Sequence, residues 1–243
     1  MMELYQFPLS HYCEKVRWAL DYKGIPYHAV NLLPGFHLKM VKSISQQTSV
    51  PVLTHETKVV NGSGRIVSYL DDHNFPPRLT PENSEKKREA LEWERLADNN
   101  IGPHVRRICY FILLNHPSSV IRMLTYNQPW YKAFFLRLIF PRLKAKMQKY
   151  MAINLEETEK SRLILIEQLE KLREALKEQS FLVDNTFTRA DLAVAALLAP
   201  LAMPYNYDIP WPNKNVSEEL QHYIHGYEDI MEWVREIYDQ HRP

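Results

Sequence analysis

Ser10 and Cys13 stand three residues apart where a short apolar run, Leu4-Tyr5-Gln6-Phe7, turns through Pro8-Leu9 into a helical pattern from Glu14 to Tyr22. Unpaired N–H groups at a helix start and the positive end of its dipole both favour an anion there. A thiolate is such an anion. The spacing is that of a Cys-x-x-Cys redox site, but with a hydroxyl in the first position only one sulfur remains. Dithiol exchange within the motif is therefore excluded. Ser10 can act as a plain helix cap. Cys13 can carry a lowered pKa and form mixed disulfides, or it can pack the helix start as an inert thiol.

The elements around this pair mix two periods. Glu3–Phe7 reads as a strand, and Cys13–Tyr22 as a helix with Val16, Ala19 and Leu20 on one face. Gly24-Ile25-Pro26 stops it. Tyr27–Leu32 reads as a strand, Phe36–Ile44 as a short helix or loop, and Val50–Thr54 with Lys58–Val60 as two strands around a turn. Ser63–Leu70 reads as a helix. The order is that of an α/β unit of thioredoxin-like size. A proline-bearing stretch from Phe75 to Glu82 reads as a linker. Beyond it helical periods dominate, from Ser84–Tyr110 to Asn154–Lys177 and Tyr227–His241, and Thr188-x-x-Asp191 forms a capping arrangement before an apolar run. The expected organisation is an α/β thioredoxin-like domain over 1–77, a linker over 78–85 and an all-α helical bundle over 86–243.

Composition bounds the function loosely. The 243 residues suffice for two small domains, and apolar (45%) and charged (24%) contents are those of an ordinary globular protein. A formal net charge of +1 names no partner. No stretch reads as a signal peptide or a membrane span. Two cysteines make no disulfide framework, so a reducing cytoplasm is the expected setting. The ten histidines show no metal-ligand spacing, and no metal is expected.

Four motifs in order resemble the glutathione S-transferase superfamily, in its serine-type classes. They are Ser10-x-x-Cys13-Glu14-Lys15-Val16-Arg17-Trp18, Val50-Pro51, Ser63-x-x-Ile66-x-x-Tyr69-Leu70, and Thr188–Asp191. The resemblance implies that glutathione is the co-substrate and that the Ser10 hydroxyl donates a hydrogen bond to its sulfur. Such a bond favours the thiolate and supplies a nucleophile. It further implies a cis Val50-Pro51 bond whose Val50 backbone pairs with the cysteinyl unit, and Ser63 binding the γ-glutamyl carboxylate at a helix N-terminus. His37, beside Lys39 and Lys42, resembles a ligand of the glycyl carboxylate. Two positions depart from the pattern: Gly62 stands where an acidic or amide partner for the α-ammonium is expected, and Ser49 where Lys or Gln is common. The second-substrate pocket is expected near Tyr12, Phe36, Arg106, Cys109 and Tyr110.

The implied activity is conjugation of the glutathione thiolate to small apolar electrophiles, with peroxidase activity a further option and detoxification the implied role. The alternatives are a Cys13-dependent glutathionyl reductase and a non-catalytic binding module that kept the fold. Homodimerisation is implied, and no nucleic-acid partner is expected. One segment stands outside the pattern. From Asn99 to Leu155 there is no Asp or Glu, while nine Lys or Arg interleave with Tyr126, Trp130, Tyr131, Phe134, Phe135, Phe140 and Tyr150. The part near 112–152 resembles a helical insertion. It reads either as a hairpin with apolar faces inward and lysines outward, or as a basic amphipathic surface for a membrane or anionic partner.

Overall fold

The computed structural model describes residues 1–73 and 75–243. Four strands, β1 (Met2–Gln6), β2 (Tyr27–Asn31), β3 (Val52–His55) and β4 (Lys58–Asn61), form one mixed sheet of order β2-β1-β3-β4. Leu4 sits opposite Ala29 in the parallel β1–β2 pair and opposite Leu53 in the antiparallel β1–β3 pair. A parallel pair needs a crossover, and α1 (His11–Tyr22) supplies it. The segment read as helix or loop is a helix, α2 (His37–Ser45), and α3 (Ser63–Asp72) follows β4. This is a thioredoxin-like N-terminal domain, and a helical domain follows it.

The apolar spacing of α1 predicts a single buried face. Instead Cys13 to Leu20 are all buried, Glu14, Lys15 and Arg17 included. The cause is α9 (Arg189–Ala202), which packs against α1 from the helical domain while α3 packs against it from the first. Buried charge must be paired to persist. Lys15 meets Glu94 and Asp98, and Glu14 meets Arg17 and Arg242 at 2.7 and 3.0 Å. The C-terminal segment also binds α1 through the Trp18 Nε1–H, which donates to the His241 carbonyl at 2.8 Å.

The helical domain comprises α4 (Ser84–Leu96), α5 (Gly102–Leu113), α6 (Pro117–Leu124), α7 (Trp130–Tyr150), α8 (Leu155–Ala175), α9, α10 (Lys214–His222) and α11 (Glu228–His241). Its centre is α9, apolar on all sides and buried from Arg189 to Ala199. The Thr188–Asp191 capping box forms as its spacing predicts. The pattern over 84–110 predicts one helix, but a five-residue π turn, Ala97–Ile101, divides it into α4 and α5. Pro103 stands just beyond and has no N–H for the ladder. The proline stretch is tied down by Asp71, whose carboxylate accepts from Leu79 N, Thr80 N and the Lys23 ammonium at 3.1, 2.8 and 2.7 Å.

The inward-apolar hairpin expected near 112–152 is only half realised. In α7, Leu136, Phe140 and Leu143 are buried, but Trp130, Tyr131, Phe134, Phe135 and Leu138 are exposed.

Candidate active site

Two adjoining pockets open between the domains. The more enclosed one, about 270 Å³, is walled by Ser10, His11, Tyr12, His37 and Val50 on one side and by Arg106, Cys109, Tyr110, Tyr207 and Trp211 on the other. The second is a broader trough that shares Tyr12, Ser49, Val50 and Arg106 and continues past Pro51, Gly62, Ser63 and Arg65 to Glu94 and Asp98.

Ser10 is the N-cap of α1, in extended conformation, and its Oγ accepts from the Cys13 N–H at a long 3.4 Å. Capping uses an oxygen lone pair and leaves the hydroxyl proton over. Among the described residues no acceptor takes that proton, and Ser10 is partly exposed to the enclosed pocket. Cys13 is placed otherwise. It is fully buried and lines neither pocket. Burial pushes its thiol pKa up, outweighing the Ser10 hydrogen bond and the nearby Arg17 charge that pull it down. The lowered pKa contemplated for a first-turn thiol is thus corrected, because the side chain points into the core.

The Val50–Pro51 bond is cis. Val50 lies outside the β3 ladder, and no chain partner takes its N–H or C=O among the described residues. Gly62 N–H donates to Pro51 O at 3.0 Å, which fixes the start of α3 beside this free edge. Gly62 has φ 96°, a conformation that suits glycine, and Ser63 follows as the first helical residue. The trough therefore ends at a helix N-terminus, a ready anion site.

Two carboxylates from the other domain lie near Gly62, both already paired: Glu94 with Lys15 and Arg189, and Asp98 with Lys15. Glu94 of α4 and Asp98 of the π turn reach the start of α3, and a Cβ on Gly64 would stand only 3.3 Å from Asp98 Oδ2 and 3.4 Å from Glu94. Arg189 completes the junction by donating to Gly64 O at 2.9 Å and Ser68 Oγ at 3.0 Å. Sequence reasoning missed Asp98, Glu94 and Arg189. The one local signal was Pro103. In a π turn the Asp98 carbonyl would be bonded by residue 103, whose N–H is missing, and the Tyr12 hydroxyl donates to that carbonyl at 2.7 Å instead. A side chain at Gly102 would overlap Tyr12, so glycine is required there.

The remaining expected residues divide. Tyr12, Arg106, Cys109 and Tyr110 do line the enclosed pocket. Phe36 does not: it is 64% exposed and lines a separate groove between α2 and α7. This corrects its assignment to the second-substrate pocket, because the turn into α2 aims it away from Ser10. His37 lines the pocket, yet both ring nitrogens are engaged: Gly35 N–H donates to Nδ1 and Nε2 pairs with Thr48 O, each at 3.1 Å. With Nδ1 accepting, Nε2 carries the proton and donates, so the ring is neutral and holds its loop. His11 Nε2 likewise pairs with Gly102 O at 3.1 Å, and burial together with the Arg106 charge pushes its pKa down to about 3. Arg106 itself is exposed in the cleft and has no ion pair or hydrogen bond among the described residues. The buried Tyr207 hydroxyl, also unforeseen, has no hydrogen-bond partner among them.

A thioredoxin-like domain and a helical domain meeting at a cleft, with a capping hydroxyl at one end and a helix N-terminus at the other, define a class of two-domain ligand-binding proteins. Residues 4–78 match the glutathione S-transferase N-terminal domain, and residues 135–240 match the glutathione S-transferase C-terminal domain. The chain belongs to the glutathione S-transferase superfamily. It is 36% identical over 107 residues to glutathione S-transferase 1 of Dianthus caryophyllus, covering 42% of this chain and 48% of that one. It is 28% identical over 138 residues to a maleylpyruvate isomerase of Ralstonia sp, covering 55% and 65%. The matched stretches thus span about half to two thirds of these relatives. A crystal structure of a Methylobacillus flagellatus glutathione S-transferase with glutathione bound shares the fold, with TM-score 0.58 and 21% identity over 95% of this chain and 98% of that one.

Proposed function

We propose that this protein is a glutathione-dependent transferase in which Ser10 stabilises the thiolate. The observation that carries the reading is the Ser10 hydroxyl proton, unspent at a helix start and facing the enclosed pocket. Glutathione would lie along the trough, its cysteinyl unit on the Val50 edge and its γ-glutamyl carboxylate at Ser63. Asp98, partly exposed at the trough, would face the α-ammonium in place of the side chain that Gly62 lacks, while Glu94 is taken up by Lys15 and Arg189. The thiol gives its proton to water, and the thiolate accepts the Ser10 hydrogen bond. Its sulfur then attacks an electrophilic carbon, the C–S bond forming as the leaving group departs with its electron pair. Calorimetry with glutathione and a conjugation assay with an aryl halide test the reading. The expected result is binding below millimolar and measurable turnover; no heat at millimolar glutathione would favour a non-catalytic module instead.

A second reading rests on Arg106, which is the one Lys, Arg, Asp or Glu lining the enclosed pocket among the described residues. A lone cation in an apolar cleft suits an electrophile that carries a carboxylate. Thiolate addition to an unsaturated acid, rotation about the resulting single bond and expulsion of the same thiolate would make the protein an isomerase, the activity named for the Ralstonia relative. Arg106→Gln should raise KM for a carboxylate-bearing electrophile about tenfold or more. It should leave KM for the neutral ester unchanged. Equal effects on both would remove this reading.

A further inference from the structure

The acid-free stretch 99–155 is not alone. Residues 22–55 also contain no Asp or Glu, so the chain's 29 acidic residues all lie elsewhere. The fold brings the two stretches together: α2 and α7 share a groove lined by Phe36, Met40, Tyr131, Lys132 and Phe135. On α7, Trp130, Phe134 and Leu138 recur at the four-residue helical spacing, with Tyr131 and Phe135 beside them, and are 80, 55 and 63% exposed for the first three. The opposite face, Leu136, Phe140 and Leu143, is the one packed on the protein. The first half of this helix is therefore apolar on both faces, and only one is covered. Lys39 and Lys42 of α2 and Arg137, Arg142, Lys146 and Lys149 of α7 are exposed. Lys132 and Lys144 bond only neutral amides, Gln128 and Asn115.

We propose that the outward face of α7, with the tip of α2, is a docking surface for an anionic lipid bilayer. Exposed Trp, Tyr and Phe interleaved with Lys and Arg are what an interfacial helix presents, its rings at the headgroup boundary and its cations toward anionic headgroups. The helix lies along the membrane and does not cross it, since no helix among the described residues is long and apolar enough to span one. A second copy of the chain is a poor occupant. Apposed copies of this face would set like charges against each other, which opposes association.

Co-sedimentation of the full chain with phosphatidylcholine vesicles, with and without phosphatidylglycerol, tests this. The expected result is binding to the anionic vesicles at low salt, release at high salt, and little binding to neutral vesicles. Binding should also shift tryptophan emission to the blue, and Trp130→Phe should remove that shift. Phe134→Ser/Leu138→Ser and Arg137→Gln/Arg142→Gln/Lys149→Gln, all at exposed positions, should each weaken vesicle binding about tenfold or more. Circular dichroism and glutathione affinity should stay unchanged. Failure to bind anionic vesicles, equal binding to neutral ones, or insensitivity to both sets of substitutions would overturn the proposal. Self-association abolished by the Phe134/Leu138 pair without vesicle binding would overturn it in favour of a second copy, and capture of an acidic protein without vesicle binding in favour of that partner.

Discussion

The Lys15 ammonium lies 2.8 Å from the Asp98 carboxylate, joining the helix that Ser10 caps to the π turn that forms the far end of the trough. A second carboxylate, Glu94, is 2.9 Å from the same ammonium, and the Lys15 side chain has no exposed surface. Arg189, also buried, pairs with Glu94 at 2.5 Å, so two cations hold the two carboxylates at the start of α3.

Lys15→Met keeps the apolar stem and removes the charge, leaving Asp98 without its cation beside a Glu94 still paired with Arg189. Breaking a buried pair from one side costs about 3–5 kcal/mol, and urea unfolding should show a loss of that order. A double variant, Lys15→Met with Asp98→Asn, should recover part of it. No recovery would mean that the pair is not the source of the loss.

Ser10→Ala removes both the helix cap and the donor to the ligand sulfur. Loss of the cap costs about 1 kcal/mol of stability. A hydrogen bond to a charged group contributes about 1.5–3 kcal/mol, so the bound glutathione thiol should rise by about one to two pH units. Thiolate absorbance titrated in the complex reads this directly. An unchanged titration with normal glutathione affinity would remove Ser10 from the chemistry.

His11 of the cleft should not titrate near neutrality. His11 is pushed down to about 3 by burial and by Arg106, and burial lowers His37 as well. His11 stays uncharged between about pH 5 and 8, where histidine ordinarily switches. The pH profile of kcat/KM should therefore rise through a single ionisation, that of the glutathione thiol, and His11→Gln should not move the inflection.

Asp71 governs the acid limit of the proline segment. Burial alone would raise its pKa, but the Lys23 hydrogen bond, Thr80 and the Leu79 N–H outweigh it and hold the carboxyl below its usual value. A carboxyl lowered in the folded state contributes stability that is present above its unfolded pKa, about 3.9, and is lost as pH falls through the folded value. Asp71→Asn should cost about 3–5 kcal/mol at neutral pH by stranding buried Lys23. It should also flatten the decline in melting temperature below about pH 4.

Strand alternation around Leu4 and Leu53, the caps at Ser10 and Thr188, and the placement of the helices follow from local geometry, because period and capping act within a few residues. They were legible in the chain alone, and the resemblance singled out Ser10, Val50-Pro51 and Ser63, which line the two adjoining pockets. Periodicity tells which side chains share a face; it does not tell whether anything covers that face. Glu14, Lys15 and Arg17 look like solvent-facing charges, yet α9 and the C-terminal segment bury them. The aromatics of α7 look like core, yet five of the six are exposed. Asp98 reaches Gly64 across 34 residues of chain, and Phe36 turns from the pocket to another groove. Those outcomes depend on which distant elements pack together, since burial, charge pairing and the walls of a cleft are properties of surfaces brought together by folding.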